Sequence, residues 1–324
     1  MILAFVEQDS GRPDRSSLEA LTFARRLATS TADSLGAVLF GSRAAEAAAA
    51  LGAFGVSSAW VVEHPALDSY APSAWGRGVV QVVALSSPVI VLAAGNDRGQ
   101  EVLAYAATMA GAPMAANCVE IRPGPPFEVT RQRWGGSLLE DARLDGAVHF
   151  LTIAEHATPR EEAAAPSAVK VETFTPTLSD LDLRVRVVAR VAPETGKISL
   201  ADARVVVGGG RGVGGAAAFS ELEELAGLLH GAVGVSRVVT SAGWRPHSQQ
   251  VGQTGTRIAP DIYIACGISG AIQHIVGCKA AKAILVINTD REAPIMSRAA
   301  YAVIGDLHSV VPAISAEIRR RQAS

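Results

Sequence analysis

Between Ala203 and His274 the 324-residue chain carries a feature with few structural solutions, a β-branched run that empties into glycines. Ala-Arg-Val-Val-Val-Gly-Gly-Gly-Arg-Gly-Val-Gly-Gly (203–215) is followed by Val-Gly-Val-Ser-Arg (233–237), Gln-Val-Gly-Gln-Thr-Gly (250–255) and Gly-Ile-Ser-Gly-Ala-Ile-Gln-His (267–274). A strand, a glycine turn and a helix-forming segment make the layout of a phosphate site. Glycine lets a ligand approach the backbone, and free N–H groups at a helix start face the anion. The stretch predicts an α/β domain that binds a nucleotide.

Five apolar runs follow that layout, at 204–208, 236–240, 261–266, 283–288 and 302–306. A helical pattern fills 217–230, with Phe219, Leu222, Leu225, Ala226 and Leu229 on one face. The alternation predicts a doubly wound parallel sheet, which takes its ligand at the C-terminal strand ends. Those ends carry 209–215, 241–246, 267–274, 288–294 and Asp306-Leu307. Gly210-x-Gly212-x-x-Gly215 formally fits the dinucleotide fingerprint, but that fingerprint wants an acidic residue about twenty positions on to hold a ribose hydroxyl. No acid occurs between Glu224 and Asp261; Ser236 and Arg237 stand in the second run instead. An NAD- or nucleotide-dependent oxidoreductase using this glycine loop is therefore only the second reading, and a regulatory nucleotide-binding module the third.

The first part of the chain alternates strands at 1–7, 35–40, 59–63, 88–93 and 116–121 with helical patterns, which predicts a parallel sheet covered on both faces. Ser16-Ser17-Leu18-Glu19 offers a capping box for the first helix. Gln8-Asp9-Ser10-Gly11 after the first strand is a poor phosphate turn, so this domain reads as scaffold. From Pro123 the runs 127–134, 137–145, 147–153, 169–174 and 183–191 lack long helices between them and read as antiparallel strands extending the sheet. The turn-rich segment 192–199 sets a boundary near 192–200, giving domains 1–195 and 196–324.

Composition narrows the class. A 49% hydrophobic chain of this length supports two packed cores. Its net charge of −2, from 29 basic and 31 acidic residues well mixed, offers no stripe for a phosphate backbone and argues against nucleic acid. Cys118, Cys266 and Cys278 lack Cys-x-x-Cys spacing, so no disulfide framework or thiolate metal site is indicated and a reducing compartment is expected. Glu7 and Asp9 cut the apolar start too short for a signal peptide, and no run reaches membrane-spanning length. The expectation is a cytoplasmic protein without direct membrane insertion.

Seven ordered motifs then converge: Gly-Gly-Arg-Gly (209–212), Ala-Val-Gly-x-Ser-Arg (232–237), Ala-Gly-Trp-x-Pro (242–246), Gln-Val-Gly-Gln-Thr-Gly (250–255), Tyr-Ile-Ala-Cys-Gly-Ile-Ser-Gly-Ala-Ile-Gln-His (263–274), Ile-Asn-x-Asp-x-x-Ala-Pro-Ile (287–295) and Gly-Asp-Leu (305–307). Together they resemble the α subunit of electron transfer flavoprotein, densely from 203 to 314 and by element order before that. The resemblance implies an electron carrier rather than an enzyme. It implies FAD held by the second domain, and a first domain that serves as scaffold and contact for an electron transfer flavoprotein β subunit in a heterodimer. It further implies electrons arriving from flavoprotein dehydrogenases, such as those of fatty acid oxidation, and leaving to a quinone oxidoreductase or similar acceptor. Matched residue by residue, the FAD contacts fall on Arg211, Ser236, Arg237, Val251, Gly252, Gln253, Thr254, Ser269, Gly270, Ala271, Ile272, Gln273, His274, Asn288, Asp306 and Leu307. Two places depart from the family: Val213-Gly214 and Thr289 stand where relatives commonly carry a lysine.

Residue chemistry alone adds particular expectations. Ser269 stands where a helix should start and reads as its cap. Arg237 on an apolar strand reads as a buried guanidinium needing an anion or an aromatic plane, and a flavin offers both. The resemblance sets Arg237 and His274 against the flavin ring; taken alone, His274 reads equally well as a satisfied buried histidine. Cys266 reads as a small core residue rather than a redox nucleophile.

Overall fold

The computed structural model describes residues 1–189 and 198–322, in two compact units, Met1–Arg190 and Val191–Ser324. Most of the expected boundary segment, including the 195/196 division, lies outside the described residues.

In the first unit, β1 (Ile2–Phe5) is buried along its whole length, as a strand covered on both faces must be. A two-residue ladder, β2 (Gln8–Asp9) with β3 (Arg12–Pro13), turns the chain into α1 (Arg15–Thr31). The cap of α1 is Asp14, whose carboxylate accepts from the N–H groups of Ser16 and Ser17. Ser16 thus lies inside the first turn, and the expected capping box gives way to an Asx cap two residues earlier. The chain continues through β4 (Leu35–Phe40), α2 (Ala44–Ala50), β5 (Ser58–Val62), α3 (Pro72–Ser86), β6 (Ile90–Ala94) and α4 (Asp97–Ala110). Next come β7 (Met114–Arg122), β8 (Phe127–Arg133), β9 (Leu138–Leu144), β10 (His149–Ile153) and β11 (Lys170–Phe174). The nine-stranded sheet has the order β11-β5-β4-β1-β6-β10-β7-β8-β9.

Only β8 and β9 are antiparallel extensions. β10 is inserted between β6 and β7 and runs parallel to both, with Phe150 opposite Val91 and Met114; β11 pairs parallel to β5 at the far edge. The hairpin β8–β9 acts as the crossover that a helix provides elsewhere, so the lack of a helix does not make the following strand antiparallel. The fully buried His-Phe-Leu-Thr-Ile run of β10 is the signature of a central parallel strand. Residues 183–189 form no strand. Val187 N–H bonds the Tyr70 carbonyl at 2.8 Å, and Leu183 and Val187 pack partly buried against the α3–α4 side.

Each face of the sheet carries its own core. The α3–α4 face is built on Phe5, Phe40, Tyr70 and Trp75, with Phe40 stacked on Trp75 at 5.0 Å between ring centres.

The second unit contains β12 (Val205–Gly209), α5 (Phe219–Leu228), β13 (Ala232–Val235), α6 (Arg237–Ser241), β14 (Ile262–Cys266), α7 (Ile272–Cys278), β15 (Ala283–Asn288), β16 (Tyr301–Ile304) and α8 (Leu307–Gln322). Its sheet is parallel throughout, in the order β13-β12-β14-β15-β16. The expected strand at 236–240 is instead the short helix α6, and the strand precedes it at 232–235. Gly231 and Gly234 hid that strand from a hydrophobicity reading, yet packing requires small residues at both. A Cβ on Gly234 would stand 2.7 Å from Val251 Cγ2, and one on Gly231 2.4 Å from the Val205 carbonyl oxygen. The order places a topological switch point beside β12, where strand-end loops diverge and leave a crevice.

Phe40→Ala should cost about 3–5 kcal/mol, because it empties the stacked position against Trp75 in a core without slack. Denaturant titration should show a lowered midpoint at unchanged slope; an unmoved midpoint would mean that the aromatic cluster contributes little.

Candidate functional site

At the C-terminal ends of β12, β13, β14 and β15 lies a cavity of about 710 Å³. The loop after β12 contributes Arg211 and Gly212, that after β13 Ser236, Arg237, Val238 and Ser241, and the segment 250–254 all five of its residues. Residues 267–271, Gln273 and His274 follow β14, and Asn288, Asp290 and Ala293 follow β15. Thirteen of the sixteen residues singled out from sequence are therefore gathered in one lining.

The other three lie elsewhere. Ile272 is exposed in the first turn of α7. Asp306 is exposed at the start of α8, where its carboxylate accepts from His308 N–H at 3.1 Å. Leu307 is buried, its Cδ2 2.9 Å from where a Cβ on Gly267 would stand. Gln250 was missed, although it opens a motif already read as a unit. It is 2% exposed, donates to Thr254 Oγ1 at 3.0 Å and accepts from Thr240 Oγ1 at 2.7 Å, so it holds the 250–255 loop closed. Asp290, likewise inside a quoted motif, lines the cavity and is exposed.

The glycines do something other than offer bare N–H groups. Gly210 N–H donates to the Cys266 carbonyl at 2.9 Å and Gly212 N–H to that of Gly267 at 3.1 Å. A Cβ on Gly210 would stand 2.2 Å from the Gly267 oxygen, and one on Gly212 2.8 Å from the Gly267 Cα. The two loops thus lie backbone on backbone. Gly267 itself has φ +61°, the left-handed region that favours glycine. A 3-10 turn at Arg211–Val213 follows, and α5 begins only at Phe219, so no helix N-terminus opens directly on this loop.

Three side chains also differ from expectation. Arg237 is exposed in the first turn of α6, so it is a solvated cation at the cavity rather than a buried guanidinium. Ser269 is not a cap; Ala271 holds that place for α7 and no side chain caps the helix. Asn288 joins two loops, its Nδ2 donating to the Ile268 carbonyl at 3.0 Å and its Oδ1 accepting from Asp290 N–H at 3.1 Å.

His274 is, with Gln250, one of the two buried polar side chains of the lining, 6% exposed. Its Nε2 is 2.8 Å from the Tyr263 hydroxyl, and its Nδ1 is buried without a hydrogen-bond partner. Burial pushes its pKa down to about 4, opposed only by the Val251 backbone, so the ring is neutral at pH 7. Cys266 is fully buried and its thiol is pushed up to about 12 by burial, which suits a core residue and not a nucleophile.

Residues 2–179 match the family described as the electron transfer flavoprotein domain, and 199–279 match the electron transfer flavoprotein FAD-binding domain. The chain belongs to the electron transfer flavoprotein α-subunit family. It is 31% identical to the electron transfer flavoprotein subunit alpha of Thermoanaerobacterium thermosaccharolyticum, covering 98% of both chains. It is 34% identical to that of Mycobacterium tuberculosis, covering 99% of both. A FixB protein of Clostridium saccharobutylicum is 31% identical over 98% of this chain and 96% of its own.

An electron transfer flavoprotein α subunit is an electron carrier whose cofactor is FAD, and membership implies a β subunit as partner. The cavity fits such a group: about 710 Å³ of space is lined by two cations, Arg211 and Arg237, and His274 leaves one buried ring nitrogen unpartnered. The departure at Val213-Gly214 has a local cause. Val213 is 1% exposed in the α5–α8 core, and Gly214 has φ +82°, where a lysine would be strained. Among the described residues no helix is long and apolar enough to cross a membrane, and no cluster of ligands suits a metal.

The depressed His274 pKa links folding to pH. The unfolded chain binds this proton below about 6.5 and the folded chain only near 4, so stability should fall by about 1.4 kcal/mol per unit as pH drops across that window. His274→Gln should remove that part of the slope. Denaturation midpoints of the two proteins from pH 7 to pH 4 check it, and parallel curves would contradict it.

Proposed function

We propose that this chain is the FAD-holding half of a cytoplasmic heterodimer, taking electrons from flavoprotein dehydrogenases, including those of fatty acid oxidation, and passing them to a quinone oxidoreductase or similar acceptor. The observation that carries this reading is the convergence of the strand-end motifs on one cavity in the second unit. Bound FAD supplies one-electron chemistry; the protein binds, orients and shields it.

Arg211 and Arg237 bring positive charge to the lining, which favours an anionic ligand, and Ser236, Ser269, Gln253 and Thr254 offer uncharged hydrogen-bonding groups. Val251, Gly252, Gly270 and Ala271 stand beside them, and Gln273, His274 and Asn288 complete the lining. Ile272, Asp306 and Leu307 act indirectly, through α7, the cap of α8 and the packing under Gly267. We assign the chain before 196 the role of scaffold and partner contact, supported by Trp134, Leu138 and Leu139, which stand exposed at the β8–β9 hairpin. The NAD reading finds no support: β13 ends at Val235 and is followed by Ser236 and Arg237, with no carboxylate to hold a ribose.

Purified with its β subunit, the protein should be yellow and release FAD on heating; a colourless complex with no FAD would overturn the proposal. Arg237→Ala should lower the flavin's reduction potential. An exposed, screened charge is worth roughly 0.5–1 kcal/mol, and about 59 mV is tenfold for one electron, so the shift should be about 20–45 mV. Spectroelectrochemical titration measures it, and an unchanged potential at full FAD occupancy would make Arg237 irrelevant to the ring's charge.

A further inference from the structure

Tyr263 on β14 is fully buried, and a buried phenol needs a partner for its hydroxyl. It has one in His274 Nε2, at 2.8 Å. The neighbouring strand is shaped to permit this. Gly208 of β12 pairs with Ala265 beside Tyr263, and a Cβ on Gly208 would stand 2.2 Å from the Tyr263 hydroxyl oxygen. A glycine, a tyrosine and a histidine from β12, β14 and α7 thus meet at one buried hydrogen bond, and of the three His274 lines the cavity.

We infer that Tyr263 is a positioning residue: its hydroxyl donates to His274 Nε2 and so fixes the proton of this cavity-lining imidazole on Nδ1. The inference stands on the Tyr263–His274 contact and does not depend on the FAD reading. Counting unsatisfied groups decides between the two neutral tautomers. With the proton on Nδ1, the phenol proton has its acceptor and a single group, Nδ1–H, waits for a partner. With the proton on Nε2, the phenol oxygen accepts, its own proton is left without an acceptor in an apolar core, and the Nδ1 lone pair is orphaned too. Two orphans cost more than one. Burial keeps the phenol protonated and the imidazole neutral, so a charged pair does not compete. The ring therefore meets the lining as a neutral imidazole held in a single tautomer.

The test uses the full chain purified with its β subunit and labelled with ¹⁵N-histidine, with His274 assigned by the signal lost in His274→Gln. Long-range proton–nitrogen correlation at neutral pH should show a protonated-type Nδ1 and an unprotonated-type Nε2. A protonated Nε2 or a charged ring would overturn the inference. In Tyr263→Phe the preference for the Nδ1–H form should fall at least tenfold; an unchanged ratio in a folded variant would mean that Tyr263 only fills space. If the variant does not fold, the wild-type tautomer still decides. A chain that shows Nδ1–H but holds no FAD would sink the FAD proposal alone, whereas FAD-loaded protein with Nε2–H would sink this one alone.

Discussion

The second unit depends on one close approach, the backbone of Gly210 and Gly212 laid against that of Gly267. β12 and β14 are hydrogen-bonded neighbours, so the loops leaving their C-terminal ends compete for the same space. Removing side chains at three positions turns that competition into a contact bearing two hydrogen bonds. The loops that line the cavity are linked onward from it by main chain. Ser236 N–H reaches back to the Gly209 carbonyl, Val251 N–H to that of Val235, and Gln253 N–H to that of Gln273, so each loop is tied to the next by main chain. Side chains set this way need little help from their own packing, and that is how exposed residues such as Arg211 and Gln253 belong to a defined site.

Charge and burial are separated within the lining. Its cations, Arg211 and Arg237, are exposed, whereas its most buried polar side chains, Gln250 and His274, are uncharged at neutral pH. A buried cation here would have to be desolvated whenever the site was empty. A neutral imidazole avoids that cost and still offers a directional donor or acceptor.

Much of this was legible in the sequence, because the site is made of short motifs at strand ends and each motif kept its place. The misses have physical reasons. β13 is hidden by Gly234 within it and Gly231 just before it, which packing against Val251 and Val205 requires, so the neighbouring Val238-Val239 pair reads as the strand. Arg237 consequently moved from an interior strand to the open first turn of a helix. The serine at 269 resembled a cap because α7 was expected three residues early. The glycine loop was read as a row of free donors, and its partner, the loop at Gly267, is 55 residues or more away along the chain, beyond any local pattern. The order of β10 and β11 was equally beyond local pattern. A run of buried apolar residues says that a strand is central without saying between which neighbours.

That order has a consequence for how the first unit comes into being. β10 occupies the middle of the sheet but is made after β7, β8 and β9, which lie to one side of it, and β11 closes the opposite edge by pairing with residues made more than a hundred positions earlier. A nascent chain that has emerged as far as Leu144 holds the strands on both sides except the edge strand β11, and lacks the one that joins them. The two halves cannot be zipped in the order of synthesis. Until His149–Ile153 arrives, β6 and β7 each present an unpaired apolar edge, the kind of surface on which chains associate wrongly. The fold is thus committed late and across long loops, a topology that slows folding. Any fragment ending before β10 is two incomplete sheets rather than a smaller domain.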